Sequence, residues 1–429
     1  MKKLMLSAGF LAMALGASFS NAAVVTLGLH PACNGNGTLI NPAYPWNGST
    51  YRYCQLPSNI AVGNNTIELP VTVPFAGSTT PILWVLPQVV TVGNGQSATA
   101  TPAGVDKTEI VIGAGAKVAG AIENSALVMT RGTKLTANGW DEVEQVIKPI
   151  IFSSLDNGFS GQGEWGGVIL SGFGVSNQCN SGYVSANCTM EGISAGTYYF
   201  GGGADTNMSS GTLNYVVITE GGSVVDVDTD GDPDPNSNSG DEINGLTLYA
   251  VNDTTSINNV HIHDNLDDGI EFFGGDVDVS NLWLTCHKDD SVDWDHGYTG
   301  NLQNVQIIQK SGADHAFELA SNPNDPDAPP RAHGTVTNAS VTLLSGTADS
   351  PFSFKEGTDA SLSNVVISGY SGIACNVAGT YHQVTTSDFS LIEYGCSNST
   401  GLLPASNTSA TGFTSASFWT TAQGNPGCN

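Results

Sequence analysis

Basic residues are scarce in this chain of 429 residues. Twelve lysines and arginines stand against 39 aspartates and glutamates, and the formal net charge is −27. A surface this acidic repels phosphate backbones and anionic lipid headgroups, so nucleic acid and anionic membrane surfaces are disfavoured as partners. Divalent cations are the counter-ions that such a surface favours.

Long apolar runs are missing beyond Ala22. No later run reaches the roughly 18 apolar residues of a membrane-spanning helix, so no membrane span is predicted. The segment 1–22 has the pattern of an export signal, with Lys2 and Lys3, an apolar stretch and a small-residue cleavage site ending at Ala22. We therefore expect an exported protein, either secreted or held at the cell surface.

Cysteines are also few, and the eight present are expected to form disulfides in an exported chain. The short loops between neighbouring cysteines favour three bridges. Cys286 and Cys428 are left over, either paired with each other or free. The three predicted bridges are Cys33–Cys54, Cys179–Cys188 and Cys375–Cys396.

Long helical periodicity is absent, whereas a short apolar-x-Asn-apolar-x-apolar motif recurs. Its asparagines are Asn259, Asn281, Asn304 and Asn364, with a weaker copy at Asn338. The first three follow one another at a period of about 22 residues, which predicts an all-β fold, a right-handed parallel β-helix with one coil per repeat. The asparagines are expected to stack and hydrogen-bond at a fixed turn.

The repeat region and its flanks suggest an order of segments along the chain. Insertions in repeat folds usually emerge as loops on one face, often the binding face. The predicted segments are a signal at 1–22, an N-terminal cap at 23–70, the β-helix at 71–397 with insertions at 173–205, 226–241 and 322–331, and a C-terminal cap at 398–429.

The repeat also brings acidic residues together. Strands of neighbouring coils lie about 4.8 Å apart, so residues one period apart are expected to stack. Such a ladder of carboxylates repels itself unless water or cations separate the charges. The expected stacked pairs are Asp267 on Asp289, Asp268 on Asp290 and Glu271 on Asp293, and the next coil adds Asp314, His315 and Glu318.

Three interpretations of this ladder remain open. It is a cation site, a solvated structural ladder, or a catalytic cluster in which neighbouring acids raise one another's pKa. The first takes Asp267, Glu271, Asp289 and Asp293 as calcium ligands; the third takes Asp268, Asp289, Asp290 and Asp293 as acid, base or calcium ligands.

A second candidate calcium site lies in the 226–241 insertion. Acidic residues occupy alternate positions, and Gly231 stands at the sixth position of the run, as in the first half of a calcium-binding loop. The alternative is a solvated acidic loop. The candidate ligands are Asp226, Asp228, Asp230, Asp232 and Asp234, with Asp241 and Glu242 completing the shell.

A histidine pair offers a third candidate. His261 and His263 occupy alternate positions, so on a strand both side chains share one face and could reach one metal ion. The alternatives are a site for zinc or another transition metal and polar surface histidines, and the second is the expected interpretation. The chain has no zinc-type cysteine spacing.

Several motifs together resemble a known group. They are GEWGGVILSG (163–172), DEINGLTLYAV (241–251), DDGIEFFGG (267–275) and DDSVDWDHGYTGNLQNVQ (289–306). The chain is similar in these motifs to secreted bacterial proteins with a right-handed parallel β-helix of the pectate-lyase-like kind. The resemblance covers roughly 105–370 and implies fold and export.

The wider superfamily contains polysaccharide lyases and polygalacturonases. Asp289-Asp290 and Asp295-His296-Gly297 resemble parts of the polygalacturonase pattern, but the chain has no Arg-x-Lys. The lyases of this fold use an arginine or lysine beside calcium, and Lys288 and Lys310 are the only cations expected near the ladder.

We therefore expect a non-catalytic, calcium-stabilised surface or matrix protein that binds an extracellular glycan, a cell-surface component or itself. One alternative is a polysaccharide lyase or glycoside hydrolase. A second alternative is the subunit of a self-assembling extracellular filament.

Overall fold

The computed structural model describes residues 22–178, 201–203, 207–223, 243–370, 372–373, 375–377, 383–386, 402–403, 417–420 and 424–428. Apart from one 3₁₀ turn at Pro31–Cys33, all regular elements in these ranges are strands. In the same ranges no helix has the length and apolarity that crossing a membrane requires.

Most strands are short because each spans one side of a coil, and the longer strands bend to span two. In chain order they are β1 (Val24–Val25), β2 (Thr38–Trp46), β3 (Ser49–Gln55), β4 (Asn59–Ile60), β5 (Thr66–Leu69), β6 (Ile82–Leu86), β7 (Val89–Val92), β8 (Glu109–Ile112), β9 (Lys117–Gly120), β10 (Ala126–Met129), β11 (Lys134–Asn138), β12 (Trp140–Asp141), β13 (Val146–Ile147), β14 (Ile150–Ser154), β15 (Val168–Ser171), β16 (Gly211–Thr219), β17 (Leu246–Val251), β18 (Ser256–His263), β19 (Ile270–Gly275), β20 (Val279–Thr285), β21 (Val292–Asp295), β22 (Asn301–Gln309), β23 (Phe317–Leu319), β24 (His333–Leu343), β25 (Phe352–Phe354), β26 (Asp359–Ser368), β27 (Gly372–Ile373), β28 (Cys375–Val377), β29 (Gln383–Thr386) and β30 (Leu402–Leu403).

The coils stack in parallel and have three faces. Face A contains β5, β8 and β11, followed by the first halves of β16, β18, β20, β22, β24 and β26. Face B contains β3, β6, β9 and β14, followed by the second halves of the same long strands. Face C is a separate sheet in the order β4-β7-β10-β15-β17-β19-β21-β23-β25-β28. The predicted all-β parallel β-helix is confirmed.

Apolar side chains fill the interior in columns that run along the helix axis. Each column repeats one position of the coil, so an inward residue is covered above and below by its equivalents. Burying apolar surface in this way stabilises a fold by about 25 cal/mol per Å². One column on face B is Ile218, Ile262, Leu284, Ile307, Val341 and Ile367; one on face C is Leu248, Phe272, Trp294, Leu319 and Phe354.

The repeated asparagines form the bend between faces A and B. Each has left-handed backbone geometry, with φ between 52° and 58°. Asparagine tolerates this region better than most residues with a side chain. Side-chain amides also bond from coil to coil: Asn304 donates to Asn281 at 3.0 Å, Asn338 to Asn304 at 3.1 Å, and Asn364 to Asn338 at 2.7 Å. The predicted asparagine ladder is confirmed.

The described part of the C-terminal region lies along the side of the helix. Trp419 is buried on face B, with its ring centroid 5.1 Å from that of His261 and 5.5 Å from that of His263. Cys428 is bonded to Cys286, across a sequence separation of 142 residues. Most of the predicted cap at 398–429 lies outside the described residues.

Replacing Asn304 by alanine is expected to lower the free energy of unfolding by about 2–3 kcal/mol. The change leaves the side-chain oxygen of Asn281 and the amide of Asn338 without a partner, and it places alanine in the left-handed region. Denaturant unfolding measures the loss. Gln303→Ala, at the exposed neighbouring position, is the control and should stay within about 0.5 kcal/mol of the wild type. Equal stability of the two variants would contradict the ladder's role.

Candidate functional site

The acidic residues lie on face C and in the turns that lead into it. Glu271 in β19, Asp293 in β21 and Glu318 in β23 occupy one register position, as the repeat predicts. Side chains alternate along a strand, so these three point outward while Phe272 and Trp294 point into the core.

The turns add a second row of carboxylates. Asp268 Oδ1 accepts a hydrogen bond from the backbone N–H of Asp290 at 3.0 Å. One coil further on, Asp290 Oδ1 accepts from the backbone N–H of His315 at 2.5 Å. Each carboxylate therefore binds the turn of the next coil, which fixes its position and explains why Asp268 and Asp290 are buried.

Together the two rows line a cleft of about 630 Å³. Four successive coils contribute to it, which is why its residues are widely spread along the sequence. The lining residues are Leu266, Asp267, Asp268, Glu271, Lys288, Asp289, Asp290, Asp293, Asp295, Asp314, Glu318, Ala320, Pro323, Lys355 and Glu356.

Lys355 and Glu356 are the charged cleft residues that the sequence analysis missed. Lys355 Nζ donates to Glu318 Oε2 at 2.5 Å. The expectation that Lys288 and Lys310 are the only nearby cations is therefore wrong. Lys310 bonds Asp264 instead, at 2.7 Å, and does not line the cleft. The motif FSFKEG (352–357), one coil beyond Glu318, was the signal that could have placed Lys355.

Burial and mutual repulsion make the innermost carboxyls hard to ionise. Burial is the largest of the causes that raise the pKa of Asp268 well above its usual value. Neighbouring negative charges raise this pKa further; they belong to Asp267, Asp290, Asp293 and Glu271. Burial likewise raises the pKa of Asp293 strongly, with repulsion from neighbouring carboxylates in addition.

The Asp290 carboxyl shares its environment with a histidine. Burial raises the pKa of Asp290 to about 7, although the contact with His315 opposes the shift. Burial on its own lowers the pKa of His315, but Asp290, Asp314 and Glu318 outweigh it and raise that pKa to about 9. Burial thus favours the neutral carboxyl of Asp290, and the neighbouring carboxylates favour the charged imidazolium of His315.

Among the described residues, five groups of three possible ligands occur in and beside the cleft, with the donor atoms of each group all within 4.8 Å of one another. The set predicted for calcium, Asp267, Glu271, Asp289 and Asp293, does not form one such group. The structure divides it between two groups that share Asp268. One is Asp267, Asp268 and Asp289, and the other is Asp268, Glu271 and Asp293.

The predicted calcium loop cannot be compared with the structure. Its candidate ligands Asp226, Asp228, Asp230, Asp232, Asp234, Asp241 and Glu242 lie outside the described residues. The loop remains a prediction.

The histidine pair is not on the surface. His261 is 2% exposed and His263 is fully buried, because the C-terminal Trp419 covers them. Both imidazoles bond the Thr285 hydroxyl, at 2.9 and 2.8 Å. Burial lowers the pKa of both rings, that of His263 to about 4. The expected surface position was therefore wrong, since a contact between distant parts of the chain leaves no local pattern.

The disulfides agree with the sequence analysis where they can be compared. Cys33 and Cys54 are bonded as predicted, and Cys286 and Cys428, for which two states were left open, are bonded to each other. Cys375 is disulfide-bonded, but Cys396 lies outside the described residues. Cys179 and Cys188 also lie outside them.

A second pair of acidic side chains lies on an earlier coil. Glu220 is fully buried, and its Oε2 accepts bonds from the Ser153 hydroxyl and from the backbone N–H of Ser154. Glu164 accepts a bond from the Ser154 hydroxyl at 2.5 Å. Burial, with the charge of Glu164, raises the pKa of Glu220 to about 7.

Comparison with known proteins identifies the domain. The family model described as "Pectate-lyase like beta helix domain" matches residues 99–426. No curated protein matches the sequence. Among solved structures, the full-length tailspike protein 2 from Escherichia coli O157:H7 bacteriophage CAB120 matches with a TM-score of 0.27 and 11% identity. The alignment covers 73% of this chain and 40% of the tailspike.

Glu220→Gln is expected to change how stability depends on pH. Because the folded-state pKa of about 7 exceeds the unfolded value, the folded protein keeps a proton that the unfolded chain releases between about pH 4.5 and 7. Wild-type stability should therefore fall, relative to the variant, by up to about 1.4 kcal/mol per pH unit as pH rises through this window. Denaturant unfolding at several pH values measures the difference.

Glu123→Gln, at an exposed position near Glu164, is the matched control. The quantity to compare is the free energy of unfolding of the wild type minus that of Glu220→Gln. If this difference rises with pH, or if it matches the difference for the control, Glu220 is not protonated as proposed.

Proposed function

The chain belongs to the pectate-lyase like β-helix domain family, and we propose that it acts outside the cell as a non-catalytic protein whose acidic cleft binds calcium. The cleft, with its calcium, then binds an extracellular glycan. Export is supported by the predicted signal at 1–22 and by the disulfides that join Cys33 to Cys54 and Cys286 to Cys428.

The observation that carries this proposal is the group Asp268, Glu271 and Asp293. Its donor oxygens lie within 4.8 Å of one another. Calcium binds oxygen at about 2.3–2.6 Å, so any two ligands of one ion are separated by no more than about twice that length. Asp293 Oδ1 is buried and makes no hydrogen bond within the described part of the chain, which suits an oxygen that ligates a cation.

Calcium also removes the repulsion within the group. Without a cation, burial and neighbouring charges raise the pKa values of Asp268 and Asp293. A divalent cation offsets these charges and lets the carboxyls ionise. An ion that binds only the folded state stabilises it by mass action, by about 2.7 kcal/mol at 100 times its Kd.

A glycan suits the cleft for two reasons. The volume of the cleft, about 630 Å³, falls within the range of small-ligand sites. Its lining is dominated by carboxylates, which accept hydrogen bonds from sugar hydroxyls, and a calcium ion can ligate hydroxyl or carboxylate oxygens of a sugar.

Added Ca²⁺ is expected to raise the melting temperature, and a chelator is expected to lower it. Asp293→Asn should remove most of this response, because it removes a ligand charge from the proposed site. Differential scanning calorimetry of the full chain measures both effects. Asp253→Asn, at an exposed carboxylate outside the cleft, is the control and should keep the wild-type response.

An unchanged melting temperature with Ca²⁺ would overturn the calcium proposal as a whole. An undiminished response in Asp293→Asn would instead assign the ion to another site, such as the predicted loop at 226–241.

Polysaccharide cleavage is the second candidate, and the surroundings of Asp290 favour it. A carboxyl with a pKa of about 7 is suited to general acid catalysis near neutrality. Burial lowers the pKa of Lys355, but the charges of Asp293 and Glu318 outweigh it and raise that pKa, so the ammonium stays charged. A charged lysine cannot serve as the base of a lyase, and hydrolysis by two carboxyls is the better match.

If the cleft is hydrolytic, the wild type will release reducing ends from an extracellular polysaccharide. Asp290→Asn should lower this rate by at least about 100-fold, because it removes a catalytic proton donor. Asp253→Asn should leave the rate unchanged. A reducing-end assay over a panel of neutral and acidic polysaccharides makes the measurement. Absence of product across the panel would support a binding role.

A further inference from the structure

We propose that Asp290, His315 and Glu318 form a second metal site, which takes a transition-metal ion of the Zn²⁺ class. The proposal goes beyond the calcium site and does not rest on it. The two sets of ligands, Asp290–His315–Glu318 and Asp268–Glu271–Asp293, have no residue in common.

The spacing of the three donors suits a small divalent cation. His315 Nδ1 lies 3.3 Å from Asp290 Oδ1 and 3.9 Å from Glu318 Oε1. Zn²⁺ holds nitrogen and oxygen ligands at about 2.0–2.2 Å, so neighbouring ligands of a tetrahedral ion are about 3.3–3.6 Å apart. Only small side-chain shifts are needed to enclose such an ion.

The imidazole decides which class of metal fits. Calcium and magnesium take oxygen ligands, whereas zinc and other first-row transition metals bind imidazole readily. The calcium-type group, Asp268, Glu271 and Asp293, contains only oxygens. One cleft thus offers two chemically different sets of ligands.

His315 is also buried without a satisfying hydrogen bond. Its side chain is 6% exposed. Neither ring nitrogen makes a well-aligned hydrogen bond with any described residue, although Nδ1 is directed at the carboxylates of Asp290, Asp314 and Glu318. A buried polar group in this state is costly, and a metal ion at Nδ1 would satisfy that nitrogen.

The backbone of His315 is held from both sides. Its N–H donates to Asp290 Oδ1 at 2.5 Å, and its carbonyl accepts from Gln309 Nε2 at 2.7 Å. The Tyr370 hydroxyl in turn donates to Gln309 Oε1. These contacts fix the backbone from which the imidazole projects.

Glu318 is oriented in the same way. Lys355 Nζ binds Oε2, which leaves Oε1 facing His315. Asp314 Oδ1 is 3.4 Å from the same imidazole nitrogen, on a half-exposed side chain. Asp314 therefore adjoins the site, but it is not one of the three donors that lie within 4.8 Å of one another.

The competing explanation is a simple imidazolium–carboxylate pair that binds no metal. Isothermal titration of Zn²⁺ into the full, chelator-treated chain, with Ca²⁺ saturating, separates the two explanations. We expect one Zn²⁺ to bind, and His315→Gln to weaken that binding by at least about 100-fold. Co²⁺ should give visible absorption bands of a tetrahedral nitrogen- and oxygen-ligated ion in the wild type and lose them in the variant.

His333→Gln is the matched control. This histidine also lies beside a carboxylate, Asp359, at 3.7 Å, but its side chain is 52% exposed and outside the cleft. The control should bind Zn²⁺ like the wild type. Glu318→Gln is a second test variant; it should weaken Zn²⁺ binding while its circular dichroism spectrum matches that of the wild type, which shows that the fold is intact.

Two results would overturn the proposal. The first is no saturable Zn²⁺ binding by the wild type, which leaves only the ion pair. The second is equal Zn²⁺ affinity in the wild type and Glu318→Gln, or in the wild type and a folded His315→Gln, which places the ion elsewhere. Loss of the calcium response alone leaves the zinc proposal standing, so the two failures are distinguishable.

Discussion

Parallel stacking of coils is the constraint on which the rest of the structure depends. It places each residue against its equivalent in the next coil, so like side chains meet. Stacked apolar residues stabilise the fold by packing on one another. Stacked asparagines stabilise it as well, because an amide both donates and accepts hydrogen bonds, as Asn281, Asn304 and Asn338 do. Ionised carboxylates only accept. A column of them, such as Glu271, Asp293 and Glu318, is therefore stable only with protons, fixed cations or metal ions between its members.

The repeat in the sequence could predict the features that recur once per coil. The asparagine motif located the bend, and the repeat period placed Glu271 beside Asp293 correctly. Lys355 was missed because the insertion at 322–331 lengthens one coil and breaks the period before it. The burial of His261 was missed for a different reason: Trp419 covers it from the far end of the chain, and no local pattern encodes such a contact.

The faces of the helix differ in what covers them. On face B, Trp419 and Phe418 pack against side chains that include His261 and Trp283, and the Cys286–Cys428 bond holds this segment in place. This packing buries His261 and His263. Face C carries the open cleft instead. The described part of the C-terminal segment thus covers part of face B and leaves the cleft on face C open.

Charge within the cleft is unevenly compensated. Glu318 is paired with Lys355, and Asp290 lies against His315, so this part contains its own cations. Asp268 and Asp293 depend more on protons, because burial and mutual repulsion raise their pKa values strongly. A rigid backbone cannot relax to separate these carboxyls, because each turn is hydrogen-bonded to the next coil. The same rigidity would let a cation bind with little reorganisation, so the fold that creates the repulsion also provides the geometry of the proposed cation site.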